Sequence, residues 1–318
     1  MSTTNSGTVT RTLPYGSAAV AEAAEVILAG GCVAVPTETV YGLAADATES
    51  HAVAQVYAAK GRPAFNPLIV HVADREAAER LARFDDRARA LADAFWPGPL
   101  TLVLPLRPEA GLSTLVTAGL QSVAIRVPAH RAMQALLEAT ARPLAAPSAN
   151  ASGRISPTRA EHVVASLGGR IPVVIDDGAT PRGVESTIVT LLDGMALLRE
   201  GPVTAAEIVA AAGPFDTAVA KGAPVAPGQL ASHYAPAKPL RLEATERREG
   251  EWLIGFGSIA GDETLSGAGD PIEAAARLFD LLHRADASPA PAIAVAPVPE
   301  AGIGAAINDR LRRAAHRD

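Results

Sequence analysis

The residues of this chain best suited to chemistry are hydroxyls, amides and cations placed where apolar runs end. Pro36-Thr-Glu-Thr-Val-Tyr-Gly-Leu43 follows the strand-like run Cys32–Val35, so its polar groups sit where a strand opens into a loop. Lys60-Gly-Arg-Pro63 and Asn66-Pro-Leu-Ile-Val-His71 put two cations and a rigid proline between a helix and the next strand. A polar loop facing a Lys/Arg pair is a cradle for an anionic ligand such as a triphosphate. Lys60 is one of only three lysines, with Lys221 and Lys238, among 28 basic residues. Where arginine is so favoured, a lysine in a loop marks a position that takes a compact point charge.

Four further segments repeat the design. Ser122-Val-Ala-Ile-Arg-Val-Pro128 puts Ser122, Ala124 and Arg126 on one side of a strand by its period of two. Pro147-Ser-Ala-Asn150 sets Ser148 and Asn150 in the same alternation, and Ser156-Pro-Thr158 reads as a helix N-cap and an amide-lined anion site. Gly183-Val-Glu-Ser-Thr187 enters a strand, and Leu197-Leu-Arg-Glu-Gly201 ends one at Arg199. Each segment alone is an ordinary turn. Together they describe a concave surface of Thr, Ser, Asn, Arg and Lys with no nucleophile–base pair. Such a surface aligns charged substrates and stabilises phosphoryl charge. Glu38 reads equally as a base or as a solvated loop carboxylate, and Tyr41 as core.

The elements that must position these residues follow from periodicity. Helices are expected over Ser17–Leu28, Ser50–Ala59, Asp74–Arg83, Asp86–Phe95, His130–Thr140, Arg159–Leu167 and Thr204–Ala212. Strands are expected near Cys32–Val35, Leu68–Val72, Leu100–Leu106, Ser122–Val127, Leu144–Ala146, Val173–Ile175, Ser186–Leu192 and Ala196–Arg199. The irregular alternation points to an α/β domain with a mixed, twisted sheet and flanking helices over residues 12–212. Residues 213–239, rich in Pro, Gly and Ala, read as a linker. Residues 240–318 read as a small Rossmann-like β-α-β-α domain without a G-x-G-x-x-G loop.

The bulk numbers exclude several classes. A net charge of −6 argues against a protein that coats nucleic acid by bulk electrostatics, and 4% aromatics against a base-stacking platform. The single cysteine, Cys32, lies in an apolar run, forms no intrachain disulfide and rules out Cys-based metal fingers. With no membrane-length apolar run and no signal-like N-terminus, a cytoplasmic location without membrane association is expected.

The motifs PTETVYGL, KGRP, NPLIVHV, WPGPLTLVL, VAIRVP, APSAN with SGRISPT, GVESTIV and LREG resemble those of the threonylcarbamoyl-AMP synthase (Sua5/YrdC/YwlC) family. His233-Tyr-Ala-Pro236 resembles the linker of its two-domain Sua5-type branch. The resemblance implies a YrdC-like catalytic domain and a nucleotidyltransferase that converts L-threonine, bicarbonate (or CO2) and ATP to threonylcarbamoyl-AMP and pyrophosphate. The product would feed a tRNA threonylcarbamoyl transferase that forms t6A at position 37.

By motif, L-threonine falls to Thr39, His71, Arg126, Ser148 and Ser186, with Arg126 bidentate to the carboxylate. ATP falls to Lys60, Arg62, Asn66, Ser122, Asn150, Ser156, Thr158 and Arg199, with Lys60 and Arg62 on the phosphates as the catalytic pair. Tyr234 is a candidate lid contact to the nucleotide. Mg²⁺ would accompany ATP rather than occupy a protein cage, and no tightly bound organic cofactor is expected. Two alternatives stand beside this reading. One is an RNA-binding module of YrdC-like fold that holds tRNA directly. The other is carbamoyl-adenylate formation as in hydrogenase maturation.

Overall fold

A computed structural model of the chain describes residues 8–63, 65–216 and 233–316. Its first sheet contains β1 (Arg11–Pro14), β2 (Val33–Pro36), β3 (Tyr41–Asp46), β4 (Ile69–His71), β5 (Leu100–Pro105), β6 (Ser122–Arg126), β7 (Leu144–Ala145), β8 (Val173–Asp176), β9 (Thr187–Thr190) and β10 (Ala196–Arg199). They run in the order β1-β8-β2-β3-β7-β4-β6-β5-β9-β10. The pairs β2–β8, β4–β6 and β5–β9 are parallel, whereas β2–β3, β3–β7 and β5–β6 are antiparallel. This is the mixed α/β sheet expected from the irregular alternation.

Strands buried on both faces carry near-continuous apolar runs, and the central ones do. Val33 and Val35 of β2 join a core with Met133 and Leu136 of the helix Arg131–Thr140. Ala34 faces the opposite core, shared with Val53 of the helix Ser50–Lys60 and Leu91 of the helix Asp86–Phe95. Cys32 is buried, and burial pushes its thiol up to about 11, so it packs as a small hydrophobe.

The second unit has a parallel sheet of β11 (Leu240–Arg241), β12 (Glu251–Gly255), β13 (Glu263–Thr264) and β14 (Ala292–Val295), ordered β11-β14-β12-β13. The helices Pro271–Ala287 and Gly304–Ala315 supply Leu278, Leu282, Ile307 and Leu311 to its core. That core also takes Val40, Ile155 and Val184 from loops of the first sheet. Most of the expected linker, residues 217–232, lies outside the described residues.

Two local expectations are corrected. Residues 37–43 are not one open loop: a tight turn at Thr37–Val40 returns the chain as β3, antiparallel to β2. The Thr37 hydroxyl makes this possible by accepting from the amides of Thr39 and Val40 and donating to the Val40 carbonyl. Side-chain hydrogen bonds of this kind close turns that apolar patterning does not reveal. Nor do Ser156 and Thr158 cap the next helix, Ala160–Leu167; its N-cap is Arg159, which makes no side-chain capping bond.

Tyr41, conspicuous in its motif, is fully buried and donates to the Gly178 carbonyl at 2.8 Å. It therefore holds structure rather than ligand. Tyr41→Phe is expected to lower unfolding free energy by about 1 kcal/mol in urea denaturation while leaving kcat/KM unchanged.

Candidate active site

The site gathers at strand ends because that is where this sheet releases its chain. His71 closes β4 and Arg126 closes β6; the strands are parallel and these residues are register partners, so both side chains reach the same edge. Gly42 of β3 bridges Ser148, bringing the Pro147–Asn150 loop alongside. Ser186 directly precedes β9, and Arg199 ends β10 opposite Ile188.

A small cavity of about 50 Å³ opens among these ends. All five residues expected for threonine, Thr39, His71, Arg126, Ser148 and Ser186, line it. Of those expected for ATP, Arg62, Arg199 and Tyr234 line it, whereas Lys60, Asn66, Ser122, Asn150, Ser156 and Thr158 do not. Among the described residues Glu185 is the one carboxylate in the wall.

Arg126 is held before any ligand arrives. Its Nε donates to the Gly98 carbonyl at 3.1 Å and one terminal nitrogen to Thr39 Oγ1 at 3.0 Å. Its other terminal nitrogen lies 2.5 Å from Glu38 Oε1. Glu38 is therefore buried, neither a solvated loop carboxylate nor part of the cavity wall. Burial alone would raise its pKa, but the Arg126 guanidinium holds it below the usual glutamate range. With three guanidinium nitrogens each engaged once, two N–H groups remain for an incoming carboxylate.

Arg62 follows Gly61, whose left-handed φ of 60° ends the preceding helix and turns the chain toward the cavity. The Arg62 guanidinium donates to the carbonyls of Asn66 and Pro67, at 3.2 and 3.0 Å. Burial lowers its pKa to about 10, still cationic at neutral pH. Arg199 donates to the backbone carbonyl and hydroxyl of Ser186, at 2.9 and 3.0 Å, and Ser186 also bonds Thr101 at 2.8 Å. That network explains why the Ser-Thr of one motif and the Arg of the next occur together.

Lys60 does not display a free ammonium. Its Nζ is buried and donates to the carbonyls of Ser148 and Asn150, each at 2.5 Å. Burial, with Arg62 nearby, pushes its pKa well below the lysine range. Ser156 donates to Glu185 Oε1 at 2.5 Å, and the Thr158 amide donates to His162 Nδ1. Ser122 is buried at the start of β6 opposite Pro105. Asn66 and Asn150 each carry a buried side-chain oxygen without a protein partner. Buried polar atoms of that kind are rare unless something else meets them.

Burial and the Arg126 charge bring His71 to about 3, so its imidazole is neutral, and its Nδ1 lacks a protein partner. His233, beside Tyr234 in the wall, is likewise neutral at about 3, chiefly by burial. Sequence reasoning weighs Glu38 only as a base or a solvated carboxylate and gives Thr37, Glu185 and His233 no role. All four lie inside the quoted motifs, but only a fold says which residues turn inward.

The fold and this cavity define an α/β protein that holds small anions among fixed cations, hydroxyls and a neutral histidine. Residues 25–201 match the family described as telomere recombination (Sua5_yciO_yrdC), and residues 203–316 match the threonylcarbamoyl-AMP synthase C-terminal domain. A threonylcarbamoyl-AMP synthase of Bacillus subtilis is 42% identical, covering 96% of both chains. One of Pyrococcus abyssi is 42% identical, covering 92% of both. The crystal structure of P. abyssi Sua5 complexed with L-threonine superposes with a TM-score of 0.87 at 38% identity, covering 97% of this chain and 98% of that one. HypF in its phosphate- and nucleotide-bound form, at 18% identity and a TM-score of 0.52, shares the fold alone. The chain belongs to the threonylcarbamoyl-AMP synthase family, in its two-domain Sua5 form.

The Glu38–Arg126 pair makes stability pH-dependent. The folded carboxyl holds its proton less readily than the unfolded one, so stability is complete above the unfolded pKa of about 4.3 and drains as pH falls through the lower folded value. Glu38→Gln is expected to cost about 3 kcal/mol near pH 7 by leaving Arg126 without its counter-charge. Urea denaturation across pH should show the wild-type and variant curves converging in acid.

Proposed function

We propose that the chain condenses L-threonine, bicarbonate or CO2, and ATP into threonylcarbamoyl-AMP and pyrophosphate. The observation that carries this is the convergence of Thr39, His71, Arg126, Ser148 and Ser186 with Arg62 and Arg199 on one cavity. The threonine carboxylate meets the two remaining N–H groups of Arg126. The neutral His71 imidazole accepts a hydrogen bond from the amine or hydroxyl. The threonine amine, having lost its ammonium proton to solvent, adds to CO2 and gives up a second proton to form a carbamate; a carbamate oxygen then attacks the α-phosphorus of ATP, and pyrophosphate leaves. The threonine carboxylate, the carbamate and the triphosphate are all anionic, so the principal tasks are charge neutralisation and in-line alignment.

Arg62 and Arg199 carry phosphate charge, and Tyr234 closes the nucleotide side. Lys60 acts from behind the wall: it ties down the Ser148 and Asn150 backbone. Asn150 and Asn66 turn buried amide oxygens toward the nucleotide or its hydrated cation. Ser122, Ser156 and Thr158 support the same region. Among the described residues no group of three or more His, Cys, Asp or Glu is arranged to hold a metal. The unpartnered oxygens of Asn66 and Asn150 fit a hydrated Mg²⁺ carried in by the triphosphate, which would neutralise phosphate charge.

Because these cations are buried, they suit a small anion better than a nucleic-acid backbone, which needs displayed charge. The product, a labile mixed anhydride, then passes to a transferase acting on tRNA. Among the described residues no helix is long and apolar enough to cross a membrane.

Pyrophosphate release from ATP is expected to require both threonine and bicarbonate; release independent of threonine would favour the carbamoyl-adenylate chemistry and overturn this reading. Lys60→Ala is expected to lower kcat/KM by about 2–3 kcal/mol, roughly 30- to 150-fold, with the fold retained by circular dichroism.

A further inference from the structure

Besides Phe279, whose ring packs on Tyr234, one charged side chain of the C-terminal domain reaches the cavity wall. Arg310, on the helix Gly304–Ala315, is fully buried and its Nε donates to Glu185 Oε2 at 2.9 Å. Glu185 lines the cavity, and its other oxygen accepts from Ser156 at 2.5 Å. The same guanidinium lies over the Tyr234 ring, 5.4 Å from its centroid, and Tyr234 also lines the cavity. Asp309 takes a second nitrogen at 2.8 Å, and the third is buried without a partner.

A second observation shows that this docking is tight. Gly183 has a left-handed φ of 68°, and a Cβ there would meet the Ala275 carbonyl at 2.3 Å and Ala276 Cα at 2.5 Å, both on the helix Pro271–Ala287. Val40, Ile155 and Val184 pack into the C-terminal core. Each belongs to a motif that also supplies cavity or cavity-supporting residues: Thr39, Ser156 and Glu185.

We infer that Arg310 is a positioning residue for the synthase reaction: it neutralises Glu185 and props Tyr234, so that the C-terminal domain sets the affinity of the catalytic cavity for its nucleotide. The reason is electrostatic. Among the described residues Glu185 is the one carboxylate in a wall meant for polyanions. Burial would by itself favour its protonated form, but the Arg310 and Arg199 charges keep it ionised. Unpaired, that carboxylate would either repel phosphate or draw Arg199 away from it. Paired, its charge is cancelled from behind while its oxygens hold Ser156 in place.

This inference rests on the proposed synthase reaction, and the experiment separates the two. Pyrophosphate release is measured with ATP varied at saturating threonine and bicarbonate. Absence of threonine-dependent release in the wild type would sink the function reading; the comparison among variants tests Arg310. Arg310→Met is expected to raise KM for ATP at least about tenfold with a smaller change in kcat. Arg310→Met combined with Glu185→Gln, which removes both charges, is expected to return KM to within about threefold of wild type. Arg310→Lys, which keeps a cation opposite Glu185 but lacks the planar group over Tyr234, is expected to raise KM by clearly less than the tenfold of Arg310→Met. An unchanged KM in Arg310→Met, or a double variant as impaired as the single one, overturns the inference. Should Arg310→Met fail to fold, Arg310→Lys and the double variant decide: a tenfold rise in KM in either, with native circular dichroism, overturns it equally.

Discussion

The structure depends on a surplus of buried positive charge. Around the cavity Lys60, Arg126, Arg199 and Arg310 are buried, and the buried carboxylates set against them are Glu38 and Glu185. Removing charged groups from water is costly unless partners replace the lost hydration. The chain meets part of that cost with backbone carbonyls: Gly98 for Arg126, Ser148 and Asn150 for Lys60, and Ser186 for Arg199. Carbonyl dipoles orient a cation without cancelling it. The remainder is left for anionic substrates, and binding energy there grows as water leaves.

The same economy shapes the wall. His71 and His233 are kept neutral by burial, so they offer hydrogen bonding without adding to the charge. Glu38 and Glu185 stand behind or beside arginines rather than acting on substrate protons, and each fixes one guanidinium.

Three of the motifs serve two cores at once. In Thr39–Val40, Ile155–Ser156 and Val184–Glu185, one residue lines or supports the cavity and its neighbour packs into the second unit, and Val40 does both. A single strip of chain thus joins two domains and lines a cavity, and the C-terminal unit braces the loops of the cavity wall.

Much of this was legible in the order of residues. Strand and helix positions followed from apolar periodicity, because burial on one or both faces leaves a repeat of 2 or 3.6 in the chain. The grouping of Thr39, His71, Arg126, Ser148 and Ser186 comes from the resemblance of their motifs to the family's, and all five line one cavity. The strand Tyr41–Asp46 was read as loop because the turn before it is closed by a Thr37 hydroxyl, a bond with no periodic signature. Lys60 read as a displayed cation, since composition cannot tell a free ammonium from one held by two carbonyls ninety residues away. Only the tertiary structure decided that Glu38 serves Arg126, that Glu185 belongs to the wall, and that Arg310 crosses from one domain to the other. Those are long-range pairings of buried charge. They depend on the low-dielectric space between elements, and that space exists only once the chain has folded.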